Sequence, residues 1–385
     1  MAKIALRVDA SHVLGTGHLM RCLVLARTLR HRGCEVLMIS RSLPGHLCDW
    51  VERTQDIRVA RLPATAIAGN ARPESGALGC SEEEDAAETR GVLEDSGPWD
   101  AMIVDHYGLG AEWERAVAPL VRRMLTIDDL ANRPHATRIL LDPNFHVDPA
   151  GRYRALVPED CLLLLGPRFA PLRREFVRHE RVGKRTHSGR PRVLVYFGGS
   201  DRYGLTLMAL RALASLGFPP RLVTVLVGAT DPASAAIARE ATHLGYPPMT
   251  GVGSNMPRLM RQADLALGAG GSTQWERFLM GLPSIVATIA ENQEACAEAL
   301  HQAGYVHLMG RADELTSDDI KRHIRTLWTH PGRRRHLALR GRGLVDGLGA
   351  GRVVDALLED LAWHANPMAA EESVQSVISE ASQRG

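Results

Sequence analysis

Short apolar runs alternate with segments of helical periodicity along most of the chain. Strands are predicted at residues 3–8 (KIALRV), 35–39 (EVLMI), 101–105 (AMIVD), 124–128 (MLTID) and 138–142 (RILLD). Five more are predicted at 161–165 (CLLLL), 192–197 (RVLVYF), 222–227 (LVTVLV), 264–267 (DLAL) and 284–289 (SIVATI). Between them, residues 19–30 place Leu19, Cys22, Leu23, Ala26 and Leu29 on one face at helical spacing. A helix at 273–280 ends in Gly281 and Pro283, the expected order for a stop. Strands that are apolar along their length and separated by helices imply parallel sheets covered on both faces.

Two α/β domains in tandem follow, at residues 1–172 and 192–364. The stretch between them, RREFVRHERVGKRTHSGRP at 173–191, is dense in charge and lacks apolar periodicity, as a solvated linker does. Residues 65–98 read as a small-residue loop followed by an acidic surface helix, and 365–385 as a weakly patterned tail. The cleft between the domains is the default binding site. A length of 385 residues fits this division, and 45% hydrophobic with 23% charged residues is enough for two cores. A net charge of +2 argues against a nucleic-acid partner. No apolar run is long enough for a membrane span. The opening MAKIALRVDA reads directly as a strand, and the six cysteines show no ligand spacing, so a reduced cytoplasmic protein without a metal site is expected. The pattern specifies no oligomeric state.

Chemistry concentrates in glycine turns at strand ends. Gly15-Thr16-Gly17-His18 follows the first strand and opens a helix, where amides are free to meet an anion. Met20 replaces the third glycine of the dinucleotide fingerprint, which disfavours NAD, and no phosphate-binding GxxxxGK loop occurs. His18 at a helix start should stay neutral near pH 7 and be able to accept a proton; the plainer alternative is a histidine that caps the turn. A second turn, Gly268-Ala269-Gly270-Gly271-Ser272-Thr273, offers amides and two hydroxyls at one helix start. One turn on, Glu276 could accept from a vicinal diol or serve the helix dipole. A third turn, Gly198-Gly199-Ser200-Asp201, faces the same edge. Together the turns suggest a diphosphate ligand spanning both domains, its charge offset by amide dipoles because no DxD motif accompanies them. Asp105-His106-Tyr107, Asp128-Asp129 and Asn292-Gln293 also lie at strand ends. Adjacent aspartates on a strand point to opposite faces, so one of Asp128 and Asp129 should cap the following turn.

Six ordered blocks carry a resemblance. RVDASHVLGTGHLMRCLVLA, VDHYGLGAEWE, IDDLANRPH, LLGPRFAPLRREF, VLVYFGGSD and ADLALGAGGSTQWERFLMGLPSIV, the last followed by AENQ, span roughly residues 3–310. The chain resembles the UDP-2,4-diacetamido-2,4,6-trideoxy-β-L-altropyranose hydrolases of pseudaminic acid biosynthesis. The resemblance implies a GT-B-like fold of two Rossmann-like domains. It also implies inverting, metal-independent hydrolysis of the anomeric C–O bond of a UDP-sugar, with no cofactor. By that resemblance His18 activates water, Gly270, Gly271, Ser272 and Thr273 hold the diphosphate, and Glu276 holds the ribose. Gly15, Gly17 and Asp201 are read into the same substrate site from the placement of their turns; by the resemblance Tyr107, Asn292 and Gln293 line the sugar side, and the backbone near 252–256 reads uracil. The family commonly has Asn where this chain has Gly204, and LLDQN where this chain has LLDPN at 140–144. A glycosyltransferase of the same fold, using a hydroxyl acceptor, and a non-catalytic UDP-sugar binder are the competing readings. UDP release without an added acceptor separates them.

Overall fold

The computed structural model describes residues 1–65, 78–178, 190–228, 233–250 and 255–365. The first sheet contains β1 (Lys3–Val8), β2 (Glu35–Arg41), β3 (Arg58–Leu62), β4 (Trp99–Asp105), β5 (Val121–Ile127), β6 (Ile139–Asp142) and β7 (Leu162–Leu165). Its strands are parallel in the order β3-β2-β1-β4-β5-β6-β7. The second sheet contains β8 (Val193–Tyr196), β9 (Val223–Val227), β10 (Met249–Thr250), β11 (Leu265–Ala269), β12 (Ser284–Thr288) and β13 (His307–Arg311). They too are parallel, in the order β10-β9-β8-β11-β12-β13. Each sheet starts in the middle, winds to one edge, returns, and winds to the other. The strand order therefore reverses between β1 and β4, and again between β8 and β11. In such sheets ligands bind beyond the carboxyl ends of the strands at the reversal. The first reversal is flanked by Gly15–His18 and Asp105–Tyr107, the second by Gly198–Asp201 and Gly270–Thr273. All the predicted glycine turns thus fall at the two points where topology opens a crevice.

Both faces of each sheet are covered, as the uninterrupted apolar strands require. On β1, Ile4, Leu6 and Val8 face a core built with Leu19, Cys22, Leu23, Ala26 and Leu29 of the helix Gly17–His31. Ala5 faces the opposite core, with Leu93 and Trp113 from the helices Glu82–Ser96 and Ala111–Val117. The second sheet is likewise flanked by two clusters, around Val195 and Leu267 on one face and Leu194 and Val286 on the other.

Three segments depart from the expectations. The acidic helix Glu82–Ser96 is not confined to the surface: Asp85 is fully buried and accepts from Arg7 and Arg41 and from the Trp113 indole N–H. Arg7 alternates onto that face of β1, and its guanidinium also binds Asp9, so two buried arginines and two buried aspartates neutralise one another. The charged stretch after residue 172 begins with a short helix, Arg174–Arg178, whose Phe176 is fully buried. An aromatic anchor there was hidden by the surrounding charge, and residues 179–189 lie outside the described ones. Finally, the helix Gly349–Ala365, expected within the second domain, packs on the first sheet. Its Ala350, Val353, Val354, Leu357 and Leu361 join the core around β1 and the helix Gly17–His31. Each buried Val or Leu contributes roughly 1.5–3 kcal/mol there. Most of the tail, 366–385, and residues 66–77 of the loop lie outside the described residues.

Candidate functional site

The carboxyl ends of β1 and β4 bring His18, Asp105 and Tyr107 together. Thr16, not His18, is the N-cap residue of the helix Gly17–His31, and its side chain makes no capping bond. The imidazole is therefore not a cap. Its ring meets the Tyr107 ring edge-on at 4.4 Å, and Nδ1 lies 3.9 Å from Asp105 Oδ1 with no hydrogen-bond partner. The His18 side chain is 11% exposed, enough for a small reactant to reach it. Its pKa is lowered: burial disfavours the imidazolium, and the nearby Arg21 and Arg133 guanidinium groups reinforce this against Asp105 and Asp129. The neutral imidazole predicted from the helix dipole is favoured here chiefly by burial.

Arg21, one turn along the same helix face, organises this corner. Its Nε and Nη2 bind both oxygens of Asp105 at 2.6 Å, and Nη1 binds Asp129 Oδ2 at 2.8 Å. Burial raises the Asp105 carboxyl, but Arg21 and His18 outweigh it and hold the group below the usual carboxylate range. Asp105 is consequently an anion facing His18 while its strong bonds run to Arg21. Sequence reading missed Arg21, although its spacing of three from His18 placed both on one helical face. Asp128 caps the next turn through Ala131 N and pairs with Arg133, while Asp129 is the aspartate turned toward Arg21. Gly15 donates its amide to Ser11 O, and Gly17 is exposed at the helix start. Gly15, Thr16 and Ser11 line one narrow crevice together with Gly199 and Ser200 of the second half.

Tyr107 joins the halves. Its hydroxyl accepts from Asn292 Nδ2 at 2.8 Å. Burial, followed by the Asp129 carboxylate, raises the Tyr107 pKa well above its ordinary value, so the phenol is neutral. Asn292 sits in the short turn Glu291–Gln293 after β12. The next residue, Gln293, accepts from Ile289 N and lies against Gly270 and Gly271, where added Cβ atoms would come within 3.4 and 3.6 Å of it. A continuous path of contacts thus runs from His18 through Tyr107 and Asn292–Gln293 to the glycine turn after β11.

In that turn the Gly270 amide donates to Ala287 O and is taken. Among the described residues, the amides of Gly271, Ser272 and Thr273 donate to no acceptor, and the Ser272 and Thr273 hydroxyls make no hydrogen bond either. Glu276 is buried. Its Oε1 accepts from Arg173 Nε and Nη2 at 3.2 and 3.0 Å, whereas Oε2 is buried without a partner. Burial raises its pKa despite Arg173, as expected of a carboxyl with one oxygen awaiting a donor. Asp201 is engaged locally: its two oxygens accept from Leu205 N and Thr206 N, fixing the start of the helix Leu205–Ser215. Of the segment near 252–256, residues 251–254 lie outside the described ones, and Met256 is buried in the second core.

No protein-family model matches the chain. Among curated proteins it is similar to the spore coat polysaccharide biosynthesis protein SpsG of Bacillus subtilis, 29% identical over 170 residues. That match covers 44% of this chain and spans only 50% of the Bacillus protein. It is also similar to the UDP-2,4-diacetamido-2,4,6-trideoxy-β-L-altropyranose hydrolase of Campylobacter jejuni, 23% identical over 304 residues, covering 79% of this chain and 97% of that protein. Among solved structures, MurG of Acinetobacter baumannii superposes with a TM-score of 0.61 at 15% identity, over 93% of this chain and all of that one. The fold is GT-B. Two Rossmann-like domains with parallel sheets, their crevices facing one another, are the arrangement expected from the chain's alternating strands and helices. Among the described residues, no helix is long and apolar enough to cross a membrane.

Proposed function

We propose that this GT-B chain is a nucleotide-sugar hydrolase. It cleaves the anomeric C–O bond of a UDP-linked 2,4-diacetamido-2,4,6-trideoxy sugar with inversion, releasing UDP and the free sugar in pseudaminic acid biosynthesis. Residues 1–172 supply the base and residues 192–364 the UDP site, with the helix Gly349–Ala365 packed on the first domain. The observation that carries this reading is His18: a partly exposed imidazole favoured in its neutral form at one strand-order reversal and linked by Tyr107 and Asn292 to the free amides at the other. UDP leaves readily when its developing charge meets preorganised donors, so a general acid is not obligatory. The amides of Gly271, Ser272 and Thr273 face that role, independently of a metal. The unpartnered Oε2 of Glu276 suits a ribose hydroxyl. His18 takes a proton from water on the opposite face of the sugar; such a base typically contributes about 10²–10⁴-fold. Asp105, held by Arg21, sets a negative charge 3.9 Å from the imidazole, and Tyr107, Asn292 and Gln293 meet the sugar. The similarity to the Campylobacter hydrolase along nearly its whole length supports this substrate class.

The test is incubation with the UDP-diacetamido sugar without an acceptor, following UDP release and the anomer formed by NMR. Wild type should release UDP and the inverted anomer, in the presence of a chelator as well. His18→Ala should lose hydrolysis by about 10²-fold or more while UDP binding persists. Release only on addition of a hydroxyl acceptor would assign the chain to the glycosyltransferases instead. Near-wild-type turnover by His18→Ala would remove the mechanism.

A further inference from the structure

Gly268, the first glycine of the turn sequence, has no part in the site described above, because it lies inside β11 and not in the turn. Its neighbour accounts for it. A Cβ on Gly268 would fall 2.5 Å from Nη1 of Arg277, 2.8 Å from the Tyr196 carbonyl oxygen and 3.3 Å from Arg277 Cζ, so the glycine leaves room both for the neighbouring strand and for this guanidinium. Arg277 belongs to the helix Thr273–Leu279, and side chains on a helix lean toward its start. The guanidinium reaches back beneath the glycine turn, where Nη2 donates at 2.7 Å to the carbonyl of Ala269, the residue before Gly270.

Arg277 is only 2% exposed, and its Nε has no partner. Among the described residues no carboxylate comes within ion-pair distance of it; the adjacent Glu276 is engaged by Arg173. Burial pulls its pKa down to about 10, the reverse of the buried arginines Arg7 and Arg21, whose carboxylate partners raise theirs. Arg334, equally buried, is a different case: it donates to two carbonyls at the end of the helix Ser317–Trp328, where the helix dipole is negative. Arg277 has one strand carbonyl and, through space, the Glu276 carboxyl, which raises its pKa but does not offset burial and is itself bound by Arg173. A buried cation with no carboxylate in direct contact costs several kcal/mol. The fold nevertheless keeps it, in the space left by the missing side chain at position 268, directly behind the glycine turn.

We propose that Arg277 is a buried counter-charge for the diphosphate of the nucleotide, acting through the turn without touching the ligand. The anion that completes its pairing is then the ligand's own. Arg277 is in this sense a positioning and electrostatic residue, and Gly268 is the small residue that admits it. The inference rests on the UDP reading above and adds a residue that supplies charge where the free amides supply only dipoles.

Calorimetric titration of the full chain with UDP and, separately, with uridine tests it. A unit charge within about 10 Å of the phosphates, at an effective dielectric near 20, is worth roughly tenfold or more in affinity. Arg277→Met should therefore bind UDP about tenfold or more weakly while uridine affinity stays within about twofold. Because the charge is buried, the UDP deficit should persist at about 1 M salt, where exposed charges are screened. Arg277→Lys keeps a charge without the planar fork and should fall between wild type and Met. Arg277→Gln, which keeps a donor for the Ala269 carbonyl without the charge, should weaken UDP selectively as Met does, and serves if the Met variant does not fold. Equal loss of UDP and uridine would make Arg277 merely structural and overturn the proposal. So would UDP binding by Arg277→Met at wild-type strength. Failure of the wild-type chain to bind UDP at all would overturn the UDP reading, and this inference with it.

Discussion

Replacing Arg21 by methionine removes the cation shared by Asp105 and Asp129 while keeping most of the side-chain volume. Three charge-assisted hydrogen bonds, at 2.6, 2.6 and 2.8 Å, are lost. The Arg21 side chain is 10% exposed and the two carboxylates 0% and 7%, so solvent screens little of the loss. Breaking a buried pair in this way leaves an uncompensated charge and costs roughly 3–5 kcal/mol. The consequence for the base has a definite sign. With Arg21 gone, Asp105 keeps the Cys22 thiol as a donor at 3.4 Å, and His18 Nδ1, at 3.9 Å, is its nearest titratable nitrogen. The imidazolium becomes more favourable, the His18 pKa rises, and the neutral base needs higher pH. The acidic limb of the kcat profile should move upward in pH relative to wild type. The stability profile should change as well. In wild type the Asp105 carboxyl lies below its ordinary value, so its contribution is present above the unfolded pKa and is lost as the pH falls through the folded one. Without Arg21, burial dominates and the carboxyl rises, so the variant should lose stability as pH increases. Stopped-time UDP release across pH 5–9, paired with urea unfolding at both ends of that range, measures both effects. An acidic limb in the same place as wild type, in a folded Arg21→Met protein, would refute the proposed coupling of Arg21 to His18.

Two further outcomes are expected. Gly204 sits at φ +67° before the helix Leu205–Ser215, with nothing within 4 Å of an added Cβ. Gly204→Asn should therefore cost under about 1 kcal/mol, since Asn tolerates the left-handed region, and Gly204→Val roughly 1–3 kcal/mol; thermal unfolding distinguishes them. His106 is buried beside Asp9, and burial holds its pKa down to about 4. Folding thus favours its neutral form, so its contribution is intact above the unfolded value near 6.5 and declines as pH falls toward 4, by on the order of 3 kcal/mol. His106→Gln, if it folds, should flatten the acid limb of a denaturant-midpoint profile over that window. An unchanged limb would assign the acid sensitivity elsewhere.

The parts of the molecule that were legible in the sequence are those decided locally. All ten apolar runs coincide with strands, because a strand buried on both faces needs an uninterrupted apolar stretch. The strands that escaped notice lack one: Arg58–Leu62 is an edge strand with two arginines, Met249–Thr250 is only two residues long, and His307–Arg311 carries a glycine and two polar ends. Glycine turns at strand ends announced the crevice. What depends on strand order was not legible, since nothing in a run such as AMIVD says that it pairs with KIALRV. Hence Tyr107 and Asn292 could each be named, but the bond between residues 185 apart in the chain could not be inferred. Arg21, Arg277 and Asp85 were hidden for a related reason. A charged residue in sequence reads as exposed until its buried counterpart, or the absence of one, is known.

The return of the helix Gly349–Ala365 to the first core constrains how the protein is made. When β1 through β7 have left the ribosome, the face of the first sheet destined for Val353, Val354 and Leu357 is still bare, and it stays so until nearly two hundred further residues have been translated. That patch is an aggregation hazard and a ready docking point for a chaperone during synthesis. The first lobe therefore completes its core only after the whole second lobe has been translated.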